Sequence, residues 1–96
     1  MNREQVIETL RAHERELKAS GIVRLSLFGS VARGERGNDV DLMAEFDTSR
    51  QFSLLDMVGL ENRLADILGA PVDLAPAASL KEGIRERVAS EAVPAF

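Results

Sequence analysis

The chain has no cysteine, no tryptophan and no tyrosine, and its single histidine is His13. Without thiols, disulfide scaffolds, thiolate metal sites and cysteine nucleophiles are excluded. With one imidazole, any metal site must rest on carboxylates. Twelve Lys and Arg face sixteen Asp and Glu, for a net charge of −4. A nucleic-acid binder would need a basic face, so direct nucleic-acid binding is not expected. No stretch approaches the roughly 18–20 apolar residues of a membrane span. The start, Met1-Asn2-Arg3-Glu4-Gln5, has no signal-peptide core, and a cytoplasmic location is expected. What remains is 96 residues that are 45% apolar, enough for one domain with a modest core. Neither a repeat nor a linker interrupts them, so 1–96 reads as a single folding unit.

Apolar spacing outlines the elements. Val6, Ile7, Leu10 and Leu17 predict a helix over 3–19, capped by Asn2 with Gln5 in a capping box and stopped by Ser20-Gly21. Residues 23–28 read as a strand with Val23, Leu25 and Leu27 on one face. A turn is expected at Arg36-Gly37-Asn38, then a strand over 39–46 with Val40, Leu42, Ala44 and Phe46 inward. Ser53 and Asp56 cap a further helix, closed by Gly69, whose expected buried stripe is Leu54, Val58, Leu60, Leu64, Ile67 and Leu68. Gly59 inside it suggests close packing, and Met57 and Phe46 read as core. Pro71-Val72-Asp73-Leu74-Ala75 reads as a short third strand bounded by prolines at 71 and 76. Ser79 with Glu82 caps a last helix carrying Leu80, Ile84 and Val88 on its apolar side. The final Val93-Pro94-Ala95-Phe96 reads either as a frayed tail or as a hydrophobic hook for a partner. The order α-β-β-α-β-α predicts an α/β (α+β) fold, a small mixed sheet with helices packed on one face.

The chemistry concentrates in the acids. On a strand, Asp39 and Asp41 project from one face while Val40 and Leu42 enter the core. Two anions so close repel and raise each other's pKa unless a cation intervenes. Oxygen-only ligation favours magnesium or manganese over zinc. If the third strand is a neighbour, Asp73 joins the set. Three carboxylates on adjacent strands suit two-metal phosphoryl or nucleotidyl transfer. The plainer alternative is that all three are solvated acids on an exposed strand or beside turns. Glu45 continues the same side of the strand but lies too far out to be a direct ligand.

Gly29-Ser30 directly follows a strand. Glycine there permits a tight turn and the close approach of a phosphate, with the Ser30 hydroxyl as a further donor or simply a helix cap. Arg33, one turn on, is either a phosphate contact or a surface ion-pair partner. No Walker A sequence occurs anywhere in the chain. His13 lies in a charged helix and is assigned no catalytic role.

Taken together, Gly29-Ser30-Val31-Ala32-Arg33-Gly34, Asp39-Val40-Asp41-Leu42 and the lone Asp73 resemble the minimal nucleotidyltransferases of the DNA polymerase β superfamily. The likeness covers nearly the whole chain and is most specific over 27–46. It departs in a shorter stretch between Ser30 and Asp39, and in Asn38 where a serine commonly precedes the first acid. The resemblance implies Gly29 and Ser30, with Arg33, as nucleotide-binding residues. It implies Asp39, Asp41 and Asp73 as catalytic residues and ligands of two Mg2+ ions, Mn2+ being possible. It further implies ATP as substrate and a HEPN-domain toxin as partner. In that role the protein is an antitoxin that transfers AMP to a tyrosine hydroxyl of the toxin. Two alternatives stand beside it. One is a binding module that neutralises its partner by occlusion. The other is transfer to a small molecule, for which the chain has little room.

Overall fold

The computed structural model describes residues 2–35 and 39–96, and the turn expected at 36–38 lies outside them. It opens with two helices in place of the single one expected, α1 (Arg3–Ala12) and α2 (Glu14–Ala19). The break is local chemistry. The His13 ring Nδ1 lies 2.9 Å from the Thr9 carbonyl, the acceptor its own amide would use in a continuous helix. The His13 N–H donates instead to the Leu10 carbonyl at 3.1 Å, and the backbone turns there. The Asn2–Gln5 capping box forms as expected, and Val6, Leu10 and Leu17 are buried.

Next come β1 (Ile22–Phe28), a single helical turn α3 (Gly29–Ala32), and β2 (Val40–Phe46). They are followed by α4 (Leu54–Leu68), β3 (Val72–Pro76), a 3-10 turn (Ala77–Ser79), α5 (Glu82–Glu91) and β4 (Val93–Pro94). The sheet order is β3-β2-β1-β4, with β2 and β3 parallel and the other pairs antiparallel, a mixed sheet as anticipated. The core lies between one sheet face and α1, α2 and α4. Leu25 and Leu27 of β1, Val40, Leu42 and Ala44 of β2, and Leu60, Leu64 and Leu68 of α4 all bury there.

Several expectations about packing are corrected. Val23 is 46% exposed because the β1–β2 register shifts between Ile22 and Arg24, so Ile22 takes the inward position. Leu54, at 81% exposed, and Val58 do not join the buried stripe of α4. At about 100° per residue, Val58 sits roughly 160° around the helix from Leu60, so the two apolar rows face opposite ways. Only the row of Leu60, Leu64 and Leu68 meets the sheet, with Ile67 partly buried beside it. Phe46 packs against Phe52 with ring centroids 4.8 Å apart, whereas Met57 is half-exposed and stands outside the core cluster.

Three further corrections concern the C-terminal part. Ser79 does not cap α5, because its hydroxyl donates to the Pro76 carbonyl at 2.9 Å and Lys81 occupies the cap position. None of Leu80, Ile84 and Val88 is buried, and α5 stays outside the core layer. The end of the chain is neither frayed nor a free hook. Val93 and Pro94 pair with Leu27 and Ser26 on β1, and Ala95 is buried with its N–H on the Leu25 carbonyl at 2.9 Å. Among the described residues no helix is long and apolar enough to cross a membrane.

Gly59 also departs from expectation. A Cβ placed there meets nothing within 4 Å, so close packing does not explain the glycine. Gly59→Ala is therefore expected to stabilise the protein by about 1 kcal/mol through helix propensity alone. A urea midpoint no higher than wild type would contradict this.

Candidate active site

The site grows from strand register. Along the parallel β2–β3 pair, Val40 stands opposite Val72, Asp41 opposite Asp73, and Leu42 opposite Leu74. Because side chains alternate, burying Val40, Leu42 and Val72 against the helices sends Asp41 and Asp73 together to the other face. Asp39 sits just ahead of β2, exposed, and its charge reaches Asp41. The structure thus puts Asp41 and Asp73 side by side across β2 and β3, with Asp39 next to them at the start of β2. They are neighbours without yet converging: among the described residues no three His, Cys, Asp or Glu side chains are gathered as a metal-binding group.

Asp41 is the electrostatic centre. Partial burial pushes its carboxyl above the ordinary carboxylate range, and the charges of Asp73 and Asp39, with a hydrogen bond to Asp73, push it the same way. Arg33 opposes the rise only weakly. An all-oxygen donor set carrying surplus negative charge matches a hard divalent cation, so these residues fit magnesium or manganese.

Gly29 is the second component. Phe28 pairs with Asp41, so the chain leaves β1 beside that carboxylate. The φ of Gly29 is +77°, a left-handed conformation that other residues adopt at a cost. A Cβ there would collide with the Asp41 carboxylate oxygen and lie 3.1 Å from its Cγ. The glycine is thus what allows backbone and carboxylate to approach. Ser30 follows, half-buried, with its carbonyl taking the Glu35 N–H at 2.9 Å.

Arg33 ends the turn, its N–H on the Gly29 carbonyl at 3.2 Å. Its guanidinium is exposed and paired with Glu35 at 3.2 Å and Glu91 at 3.5 Å, which raise its pKa. The structure therefore places Arg33 beside the site with its charge directed at two carboxylates. Sequence reasoning missed Glu91 in this position. It comes from α5, 58 residues away, and no local pattern marks it.

Two outcomes are expected. Since the folded-state pKa of Asp41 is raised, the carboxyl favours folding below its unfolded pKa and disfavours it as pH rises through the folded value. Asp41→Asn should therefore melt at a higher temperature than wild type at pH 7 in EDTA, with the gap closing below about pH 4. A lower melting temperature for the variant at pH 7 would refute the electrostatic account. Gly29→Ala should cost at least about 1–2 kcal/mol from its left-handed backbone, with the Asp41 clash added. Wild-type stability of that variant by chemical denaturation would show the contact to be loose.

Known proteins resemble this chain in sequence and fold. The nucleotidyltransferase domain family matches residues 7–95. The chain is 39% identical over 93 residues to the protein adenylyltransferase MntA of Thermococcus cleftensis, covering 94% of this chain and 92% of that one. A solved structure described as a minimal nucleotidyltransferase superposes with a TM-score of 0.73 at 38% identity, covering 98% of this chain and 96% of the other. The fold also matches, with a TM-score of 0.68 at 17% identity and over 94% of this chain and 71% of the other, a structure of a tri-AMPylated Shewanella oneidensis HEPN toxin in complex with MNT antitoxin. The chain belongs to the nucleotidyltransferase domain family.

Proposed function

We propose that this protein is a magnesium-dependent protein adenylyltransferase. It transfers AMP from ATP to a tyrosine hydroxyl of a HEPN-domain toxin and thereby acts as an antitoxin. The observation that carries the proposal is Asp41 facing Asp73 across parallel strands with Gly29 seated against Asp41. Support for the acceptor class comes from the relative named a protein adenylyltransferase and from the AMPylated HEPN toxin seen with an antitoxin of the same fold. None of these 96 residues is a tyrosine, in keeping with an acceptor supplied by the partner.

In this reading the Gly29-Ser30 turn receives the triphosphate, with backbone amides and the Ser30 hydroxyl as donors. Asp39, Asp41 and Asp73 would hold magnesium, or manganese in its place, which when bound neutralises phosphate charge and lowers the pKa of the acceptor hydroxyl. Asp73, exposed on the edge strand, meets the incoming hydroxyl and takes its proton. The acceptor oxygen bonds to the α-phosphorus as the bond to the bridging oxygen breaks, and pyrophosphate leaves with the electron pair. Positioning and electrostatics supply most of the rate. Arg33 is one arm's reach from the turn and turns to the phosphates only by leaving Glu35 and Glu91.

Incubating the protein with labelled ATP, magnesium and the product of the adjacent reading frame tests this. Wild type should label the partner, and Asp41→Asn should do so on the order of 100-fold more slowly. Equal labelling by both, or none by wild type, overturns the mechanism. Occlusion without chemistry is the second reading, favoured by carboxylates that are adjacent but not converged. Its signature is full protection of cells by a chain carrying both Asp39→Asn and Asp41→Asn.

A further inference from the structure

We propose that Glu61 is a positioning residue: by clamping the outer edge of β3 it holds Asp73 in register with Asp41. The sheet order makes β3 an edge strand, hydrogen-bonded to a neighbour on one side only. This five-residue strand must nevertheless carry Asp73 directly opposite Asp41, and the two carboxylates repel. Nothing within the sheet resists the outward push from the far side.

Glu61 supplies that resistance. Backbone N–H groups alternate between the two edges of a strand. That of Leu74, the residue after Asp73, points away from β2 and donates to Glu61 Oε2 at 3.0 Å in a partly buried setting. Pro76, two residues further along the same edge, has no N–H, so on that side Leu74 is the last backbone donor the edge presents. Glu61 is itself fixed, because α4 is anchored to the sheet through Leu60 and Leu64, which flank it in sequence. Its side chain lines a cleft of about 340 Å³ with Met57, Val58, Leu74 and Pro76, so its stem lies along apolar surface while its head reaches the strand. The carboxylate thus does for β3 what a fifth strand would do, one residue from Asp73.

Charge and reach can be separated. Glu61→Gln keeps an acceptor oxygen at the same length and removes the charge; Glu61→Asp keeps the charge and withdraws it by one methylene. In amide hydrogen exchange on labelled protein, the Leu74 and Asp73 N–H groups should exchange about tenfold faster in Glu61→Asp and Glu61→Ala, and near the wild-type rate in Glu61→Gln. In partner labelling, the same two variants should lose about tenfold in kcat with KM for the partner unchanged, and Gln should restore it. Unchanged exchange at Asp73 in Glu61→Asp overturns the proposal, as does faster exchange with unaltered kcat. Should Glu61→Ala fail to fold, the Asp and Gln pair still decides. The activity arm rests on the transferase reading above. If wild type transfers nothing, that reading fails while the exchange arm still judges the clamp.

Discussion

Asp41 is held where a carboxylate would rather not be. It is partly buried, faces Asp73 across a parallel pair, feels Asp39 two residues earlier, and has backbone pressed against it at Gly29. Each contact favours its neutral form or crowds it. The remainder of the fold supplies the force that keeps it there. On the opposite face of the sheet Leu25, Leu27, Val40 and Leu42, with Leu64 of α4 in the same core, are fully or nearly fully buried. Burying such side chains contributes roughly 1.5–3 kcal/mol each, enough to outweigh repulsion among partly solvated carboxylates. Alternation along a strand makes the trade possible, because the residues that stabilise the sheet and those that strain it are the same strands' odd and even positions.

Much of this was legible in the order of residues. Asp-x-Asp on an alternating strand determines which face the acids share, and Val72-Asp73-Leu74 repeats the alternation. Gly29 was readable as a close-approach position, though the partner that approaches, Asp41, emerges only once β1 and β2 pair. Both capping boxes, Asn2 with Gln5 and Ser53 with Asp56, formed where their spacing placed them, because a cap is satisfied within four residues.

What escaped sequence reading depends on partners far along the chain or on small departures from regular geometry. Val23 fits the alternation of β1, yet the register shift beside it reverses the side on which it falls. Leu54 and Val58 are apolar at helical spacing, but among the described residues they belong to a row left largely exposed. The pairing of Arg33 with Glu91 and the bond from Leu74 to Glu61 join residues that no periodicity links. Such contacts arise from how elements stack, and stacking is decided by the whole core.

The bond from the Arg11 Nε to the Ala95 carbonyl, 2.7 Å long, spans 84 positions of the chain. Together with the β1–β4 pairing it joins the first helix and the central strand to the last residues. These are contacts of near-maximal sequence separation, and loop-closure entropy must be met before they form. On a ribosome, β1 would leave the exit tunnel long before Val93 and Pro94 exist to cover its edge. The nascent chain therefore carries an open edge on β1 until Val93 and Pro94 emerge, and that edge is sealed long after the strand itself has been made.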